Sequence, residues 1–124
     1  MLYVENNVIN LTRGDDATLT VPICGIDGNL FVIGPYDYLI FGARTAPAGV
    51  GDSVLEIVGE PGESCINFTH ADTADLEPGF YSAEIQLMLA DGQRVTIWPK
   101  LKGNMRTAAE NWKNFCIMRE VVCV

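Results

Sequence analysis

At 124 residues the chain suits one domain around one hydrophobic core, and nothing in it suggests a second. Hydrophobic residues make up 48% and charged residues 19%, which excludes a disordered chain and removes any need for disulfide or metal staples. The formal net charge is −8, and residues 1–93 carry 14 acids against two bases, Arg13 and Arg44. Phosphate contacts need clustered cations, so the body of the domain is not expected to bind nucleic acid.

Strand candidates separated by turn residues recur along the chain. Residues 8–12 come first, and Arg13-Gly14-Asp15 makes a tight turn. This tripeptide also spells an integrin-type motif, but a strand-to-strand turn is required at that point and accounts for it. Residues 16–23 alternate, with Ala17, Leu19, Val21 and Ile23 on one face and Thr18 and Thr20 on the other, the period of a half-buried strand. Pro22 has no amide donor and belongs at an edge or near the strand end.

Asp27-Gly28-Asn29 and Gly34-Pro35 read as turns, followed by strands at 36–44, 52–58 and 64–69 with a small-residue loop after Thr45. Residues 70–76 read as a single helical turn, with Thr69 or Asp72 as its cap. A long strand over 80–90 places Tyr81, Ala83, Ile85, Leu87 and Leu89 on one face. Asp91-Gly92 then gives a hairpin signal into 93–98. Residues 104–114 fit either a short helix or an ordered loop, and 115–122 read as a closing strand. Turn signals about ten residues apart, with alternating strands between them, predict an antiparallel sandwich.

No basic segment followed by an apolar stretch opens the sequence, so no signal peptide is expected, and no apolar run approaches a membrane span. The four cysteines, Cys24, Cys65, Cys116 and Cys123, form no Cys-x-x-Cys pair. Three lie in apolar runs, where a reduced thiol acts as a small hydrophobe, and free thiols formed in a reducing cytoplasm are expected.

Leu76-Glu77-Pro78-Gly79-Phe80-Tyr81 leads into the long strand. Leu76, Pro78, Gly79 and Tyr81 resemble the tyrosine corner of immunoglobulin-like and fibronectin-type sandwiches, in which the tyrosine hydroxyl bonds back to the corner backbone. The wider order runs from Leu11-Thr12-Arg13-Gly14-Asp15 through Asp27-Gly28-Asn29 and Asp72–Leu76 to the corner, Ile85-Gln86-Leu87 and Asp91-Gly92. It resembles a short β-sandwich of virion proteins from tailed phages and prophages of Gram-positive bacteria, similar to the N-terminal domain of baseplate upper proteins. The resemblance covers residues 9–98, continues through Trp98-Pro99 and more loosely over 115–122, and departs from the pattern over 100–114.

The resemblance implies a single immunoglobulin-like antiparallel sandwich over residues 1–124 that connects or anchors other virion proteins, folds in the bacterial cytoplasm, and has no cofactor and no catalytic residue. The residues themselves point the same way. His70-x-Asp72-x-x-Asp75 holds the only histidine, its carboxylates suit helix capping, and no nucleophile-elbow or phosphate-loop glycine pattern occurs. No enzyme, membrane or metal role is expected. Tyr36, Tyr38, Phe41, Trp98 and Trp112 raise a second reading, a carbohydrate- or host-surface-binding face.

The bases concentrate at the other end of the sequence, with six of them against two acids over residues 94–124. Met105, Trp112 and Phe115 lie among Lys100, Lys102, Arg106 and Lys113, apolar anchors among charges as in an interface core with its rim. A homo-oligomer is expected on that ground, with Met105, Arg106, Trp112, Lys113 and Phe115 as the candidate interface.

Overall fold

A computed structural model describes residues 1–24, 29–45, 52–99 and 113–119. These form β1 (Leu2–Glu5), β2 (Val8–Thr12), β3 (Ala17–Thr20), β4 (Tyr38–Arg44), β5 (Ser53–Val58), β6 (Cys65–Phe68), α1 (His70–Thr73), β7 (Gly79–Met88), β8 (Arg94–Trp98) and β9 (Phe115–Met118). Among the described residues the fold is all-β apart from the single turn of α1. A seven-stranded sheet runs β1-β2-β9-β7-β4-β5, with β8 also paired to β7, and packs against the two-stranded sheet β3-β6. The small sheet lies over the large one, with β6 beside β5 and β3 beside β1.

Alternation decides which side chains meet between the sheets. Leu39, Phe41 and Ala43 of β4, Tyr81, Ala83, Ile85 and Leu87 of β7, and Ile66 and Phe68 of β6 are buried. Phe41 packs edge-on against both Phe68 and Phe115, with ring centroids 5.1 Å apart in each pair. This triad joins β4, β6 and β9 and so ties the two sheets together.

Three local features differ from the sequence expectation. β1 is a strand the alternation did not reveal. Asn6 and Asn7 at φ 53° and 62° make the two-residue turn that folds β1 back on β2, a conformation asparagine tolerates better than most residues. The sheet is not purely antiparallel, because β2 and β9 pair in parallel, Ile9 beside Phe115 and Leu11 beside Ile117. Parallel neighbours need a long connection, and almost the whole chain lies between these two. The third strand starts at Tyr38 instead of Tyr36, because Asp37 turns the chain: its N–H donates to Gly34 O and its carboxylate takes the Gly34 N–H.

The free edge of β7 opposite β4 is served by two separate segments. β8 pairs with its upper half, Met88 to Ile85, and β9 with its lower half, Tyr81 to Gly79. Ala83 falls in the seam between them. There the buried Asn114 side chain takes the place of a strand: its Oδ1 accepts from Ala83 N at 2.6 Å and its Nδ2 donates to Ala83 O at 2.8 Å. Its backbone continues the ladder on both sides, N–H to Tyr81 O and C=O from Ile9 N.

The corner before β7 is built on one hydrogen bond. Tyr81 Oη donates to Glu77 O at 2.6 Å while its ring packs beside Phe115. Burial, with the Glu77 charge nearby, pushes the Tyr81 phenol above its usual pKa. Gly79 sits at φ 144°, where a Cβ would be strained although nothing crowds it. Leu76 packs on the core edge, and Pro78 is half-buried between them.

Replacing Asn114 by Leu leaves the Ala83 N–H and C=O buried and unpaired, which should cost about 2–4 kcal/mol. Urea denaturation measures this, and a loss below about 0.5 kcal/mol would mean that the side chain does not complete the ladder. Tyr81→Phe should cost about 1 kcal/mol through its one hydrogen bond, and Gly79→Val more, through backbone strain. Equal and negligible losses in both would refute the corner.

Candidate functional site: the loop end of the sandwich

The strand directions gather three connections at one end. Met88 faces Tyr38, and Ile40 faces Val58, so the 21–37, 59–64 and 89–93 connections all leave the sheets on the same side. Asp37 fastens them. Its Oδ2 accepts from Gly34 N at 2.7 Å, its Oδ1 from Ala90 N at 2.9 Å, and its backbone O from Gly62 N at 2.8 Å. The carboxylate is buried, and satisfied backbone donors around it offset the cost of desolvation.

The first of these connections is a short hairpin arm. Cys24 bridges Leu30, and Phe31 N donates to Ile23 O at 2.7 Å. Val21, Ile23 and Ile33 anchor the arm in the core, whereas Leu30 is 68% exposed, Val32 81% and Tyr36 76%. Val58, at the end of β5, is 57% exposed. The 59–64 and 89–93 connections carry exposed Glu60, Glu63 and Asp91, and Arg94, which opens β8, has its Nε 3.2 Å from Met88 Sδ. Isolated exposed apolar residues are ordinary, but several on one scaffolded loop end form a surface suited to contact.

The opposite end is occupied by its own hydrogen bonds. Gly14 N donates to the buried Thr73 Oγ1 at 2.8 Å, His70 Nδ1 lies 2.7 Å from Gly14 O, and His70 N donates to Asp16 Oδ1. Asp72 caps α1 by accepting from Thr69 N at 2.7 Å. The Arg13-Gly14-Asp15 turn is thus held against α1, with Gly14 at φ 79°. Among the described residues no cluster of His, Cys, Asp and Glu is arranged to hold a metal.

The sequence candidates fall in different places. Leu76, Pro78, Gly79 and Tyr81 converge at the corner described above. Phe115 is not an interface anchor: it is fully buried, and the sheets close around it because β9 lies between β2 and β7. Lys113 is exposed just before β9, while Met105, Arg106 and Trp112 lie outside the described residues. So do residues 100–112 as a whole, 120–122 of the expected closing strand, Cys123, and Asp27-Gly28 of the expected turn.

The aromatic residues do not line one face. Phe41 is in the core, Trp98 packs against it, Tyr38 is half-buried, and Tyr36 alone is largely exposed; Trp112 lies outside the described residues. Cys24, Cys65 and Cys116 are free thiols. Cys24 is exposed on the arm instead of buried. Burial pushes the Cys116 thiol up in pKa, as it does Cys65, where the Glu63 carboxylate adds to the effect.

Alternation pointed to the core but missed the loop end. Its apolar residues, Leu30-Phe31-Val32-Ile33, lie between the expected turns at Asp27-Gly28-Asn29 and Gly34-Pro35 with no element predicted for them, and the bridge of Leu30 to Cys24 pairs residues across the first turn. No family model, curated protein or solved structure matches the chain. No helix among the described residues is long and apolar enough to cross a membrane.

Asp37→Ala should leave the Gly34 and Ala90 amides without their acceptor and cost about 2–4 kcal/mol. Amide exchange should accelerate at Gly34 and Ala90 while Phe41 and Ile85 stay protected. Unchanged exchange at both loop amides would show that Asp37 does not fasten this end.

Proposed function

We propose that the chain is an immunoglobulin-like virion module of a tailed phage or prophage, a baseplate, tail or fibre component working through protein–protein contacts and not as an enzyme. The fold-level support is the strand plan. In a variable-type immunoglobulin sandwich, strands G, F, C and C′ share one sheet, and B and E share the other. Here β9, β7, β4 and β5 follow the first order, and β3 with β6 the second. A tyrosine corner opens β7, as it opens strand F. Ala83 stands two residues after the corner tyrosine, where disulfide-bearing members place a cysteine. The core here is closed by the Phe41, Phe68 and Phe115 rings instead.

The observation that carries the contact reading is the exposed apolar loop end, held in shape by Asp37. The virion assignment rests on the motif order over residues 9–98 and its likeness to the N-terminal domain of baseplate upper proteins. A host-surface reading has one observation in its favour, the exposed Tyr36 ring at the same end, since aromatic faces stack on sugars.

Mass spectrometry of gradient-purified phage particles tests the assignment. The chain should be found in the particle fraction at a fixed ratio to the capsid protein. Its presence only among soluble host proteins would overturn the virion reading. A rise in melting temperature with cell-wall saccharides, abolished by Tyr36→Ala, would move the function to the host-surface alternative.

A further inference from the structure

We infer that the outer face of the large sheet, where β5, β4, β7 and β8 lie side by side, binds a second copy of this chain about a two-fold axis that crosses the strands at Ile40. The strand register makes this face one continuous patch. Val58, Ile40, Gln86 and Thr96 stand in a single row across the four strands. Tyr38, Met88 and Arg94 form the row on one side of it, and Glu56, Gly42 and Glu84 the row on the other. Leu39 and Phe41, which alternate with these positions along β4, are buried in the core, so the rows face outward. Val58 is 57% exposed; Glu56, Glu84, Arg94 and Thr96 are exposed, and the others are half-buried.

Gly42 is the first observation that points to a partner. Glycine inside a strand weakens it, and it marks a bulge, a bend or a close approach of something to the backbone. Gly42 is not at positive φ and pairs in register with both Glu56 and Glu84. The irregularity between β4 and β5 comes after it, between Ala43 and Arg44. Internal packing does not demand it either, because an added Cβ would meet nothing within 4 Å among the described residues. The glycine thus leaves a hollow in the face between two glutamates. A two-fold axis across the strands at Ile40 lays Tyr38 of each copy over Gly42 of the other. Facing sheets pack about 10 Å apart, and a tyrosine ring fits directly over a position that has no side chain of its own.

Charge selects the occupant and its orientation. The central row is uncharged, the Tyr38 row ends in Arg94, and the Gly42 row holds Glu56 and Glu84. An axis across the strands sets each outer row on the opposite one. Arg94 then comes beside Glu84 of the other copy, and the four residues of the central row meet their own counterparts. An axis along the strands would set glutamate row on glutamate row, a costly arrangement of like charges. The face is therefore complementary to itself in one orientation, and such a contact closes at two copies. The patch spans roughly 20 Å by 20 Å, small beside the about 800 Å² per partner of a standard interface, so a dissociation constant on the order of 10–100 μM is expected. This dimer does not depend on the virion reading.

Sedimentation velocity of the full chain from about 5 μM to about 1 mM tests the contact, and a monomer–dimer equilibrium with no larger species is expected. Gly42→Val should weaken the dimer about tenfold or more by filling the hollow. The melting temperature of the dilute chain should stay unchanged or rise, because valine favours strands and its Cβ has space. Glu84→Arg and Arg94→Glu should each weaken the dimer, and an equal mixture of the two should form a heterodimer, because both like-charge pairs become opposite ones. If Gly42→Val lowers the melting temperature, this charge exchange decides alone.

A wild-type chain that is monomeric at about 1 mM overturns the inference. So does a folded Gly42→Val chain that dimerises as before, a mixture that associates no better than either charge variant, or growth beyond two copies. Val32→Ser, on the arm, should leave the dimer intact; association lost in that variant and kept in Gly42→Val would place the contact at the loop end and refute this face.

Discussion

The structure depends on keeping β7 paired along its whole length although no single strand runs beside its second edge. β7 is the longest strand, contributes Tyr81, Ala83, Ile85 and Leu87 to the core, and borders β4 on its other side. A buried backbone group without a partner costs more than a typical hydrogen bond gains, so a gap at Ala83 would weaken the centre of the sheet. The Asn114 amide closes it with a donor and an acceptor spaced like those of a peptide group. Because that pairing is supplied by a side chain, the second edge of β7 is paired although β8 ends at Trp98 and β9 begins at Phe115.

The same economy appears at the two ends of the sandwich. At one end, Thr73, His70 and Asp16 tie the 13–16 turn to α1. At the other, a single carboxylate, Asp37, collects the amides of two connections while its own carbonyl holds a third. The first end uses its polar groups on itself. The second holds its backbone with one buried residue and leaves apolar side chains outside. A fastened backbone with outward-facing apolar side chains is the feature of this end that supports the proposed contact role.

Much of the fold was legible from alternation. The faces of β3 and β7 follow from period two, and Asp91-Gly92 marked the β7–β8 hairpin, with Gly92 at φ 94°. The Leu76–Tyr81 stretch carried the corner because Pro78-Gly79 sets a turn just before a tyrosine that enters a long strand, with Leu76 ahead of it. Features made by pairs distant in sequence were not legible. The parallel contact of β2 with β9, the role of Asn114 and the convergence on Asp37 each join residues with no local pattern. Phe115 misled for a related reason: an aromatic residue among lysines looks like a rim anchor until a neighbouring strand on each side encloses it. The loop end went unread because apolar residues between turns predict burial unless the hairpin that lifts them is known.

Sheet edges are the usual alternative route to association, and here they are poorly suited to it. β1 is four residues long and ends in exposed Glu5; β5 carries exposed Glu56, and its pairing with β4 is irregular at Ala43/Arg44. Short strands, edge charges and register irregularities are the devices that keep a strand from templating another chain. In a two-fold antiparallel pairing of β5 centred on Glu56, the two glutamates would face each other, a repulsive cross-strand pair. The two end strands of the seven-stranded sheet are blunted in this way, whereas the loop end offers exposed Leu30, Val32 and Tyr36 on a fastened backbone. A surface read by side chains is also more selective than an open edge, because backbone hydrogen bonds are common to every sequence, whereas side-chain shape and charge differ between partners.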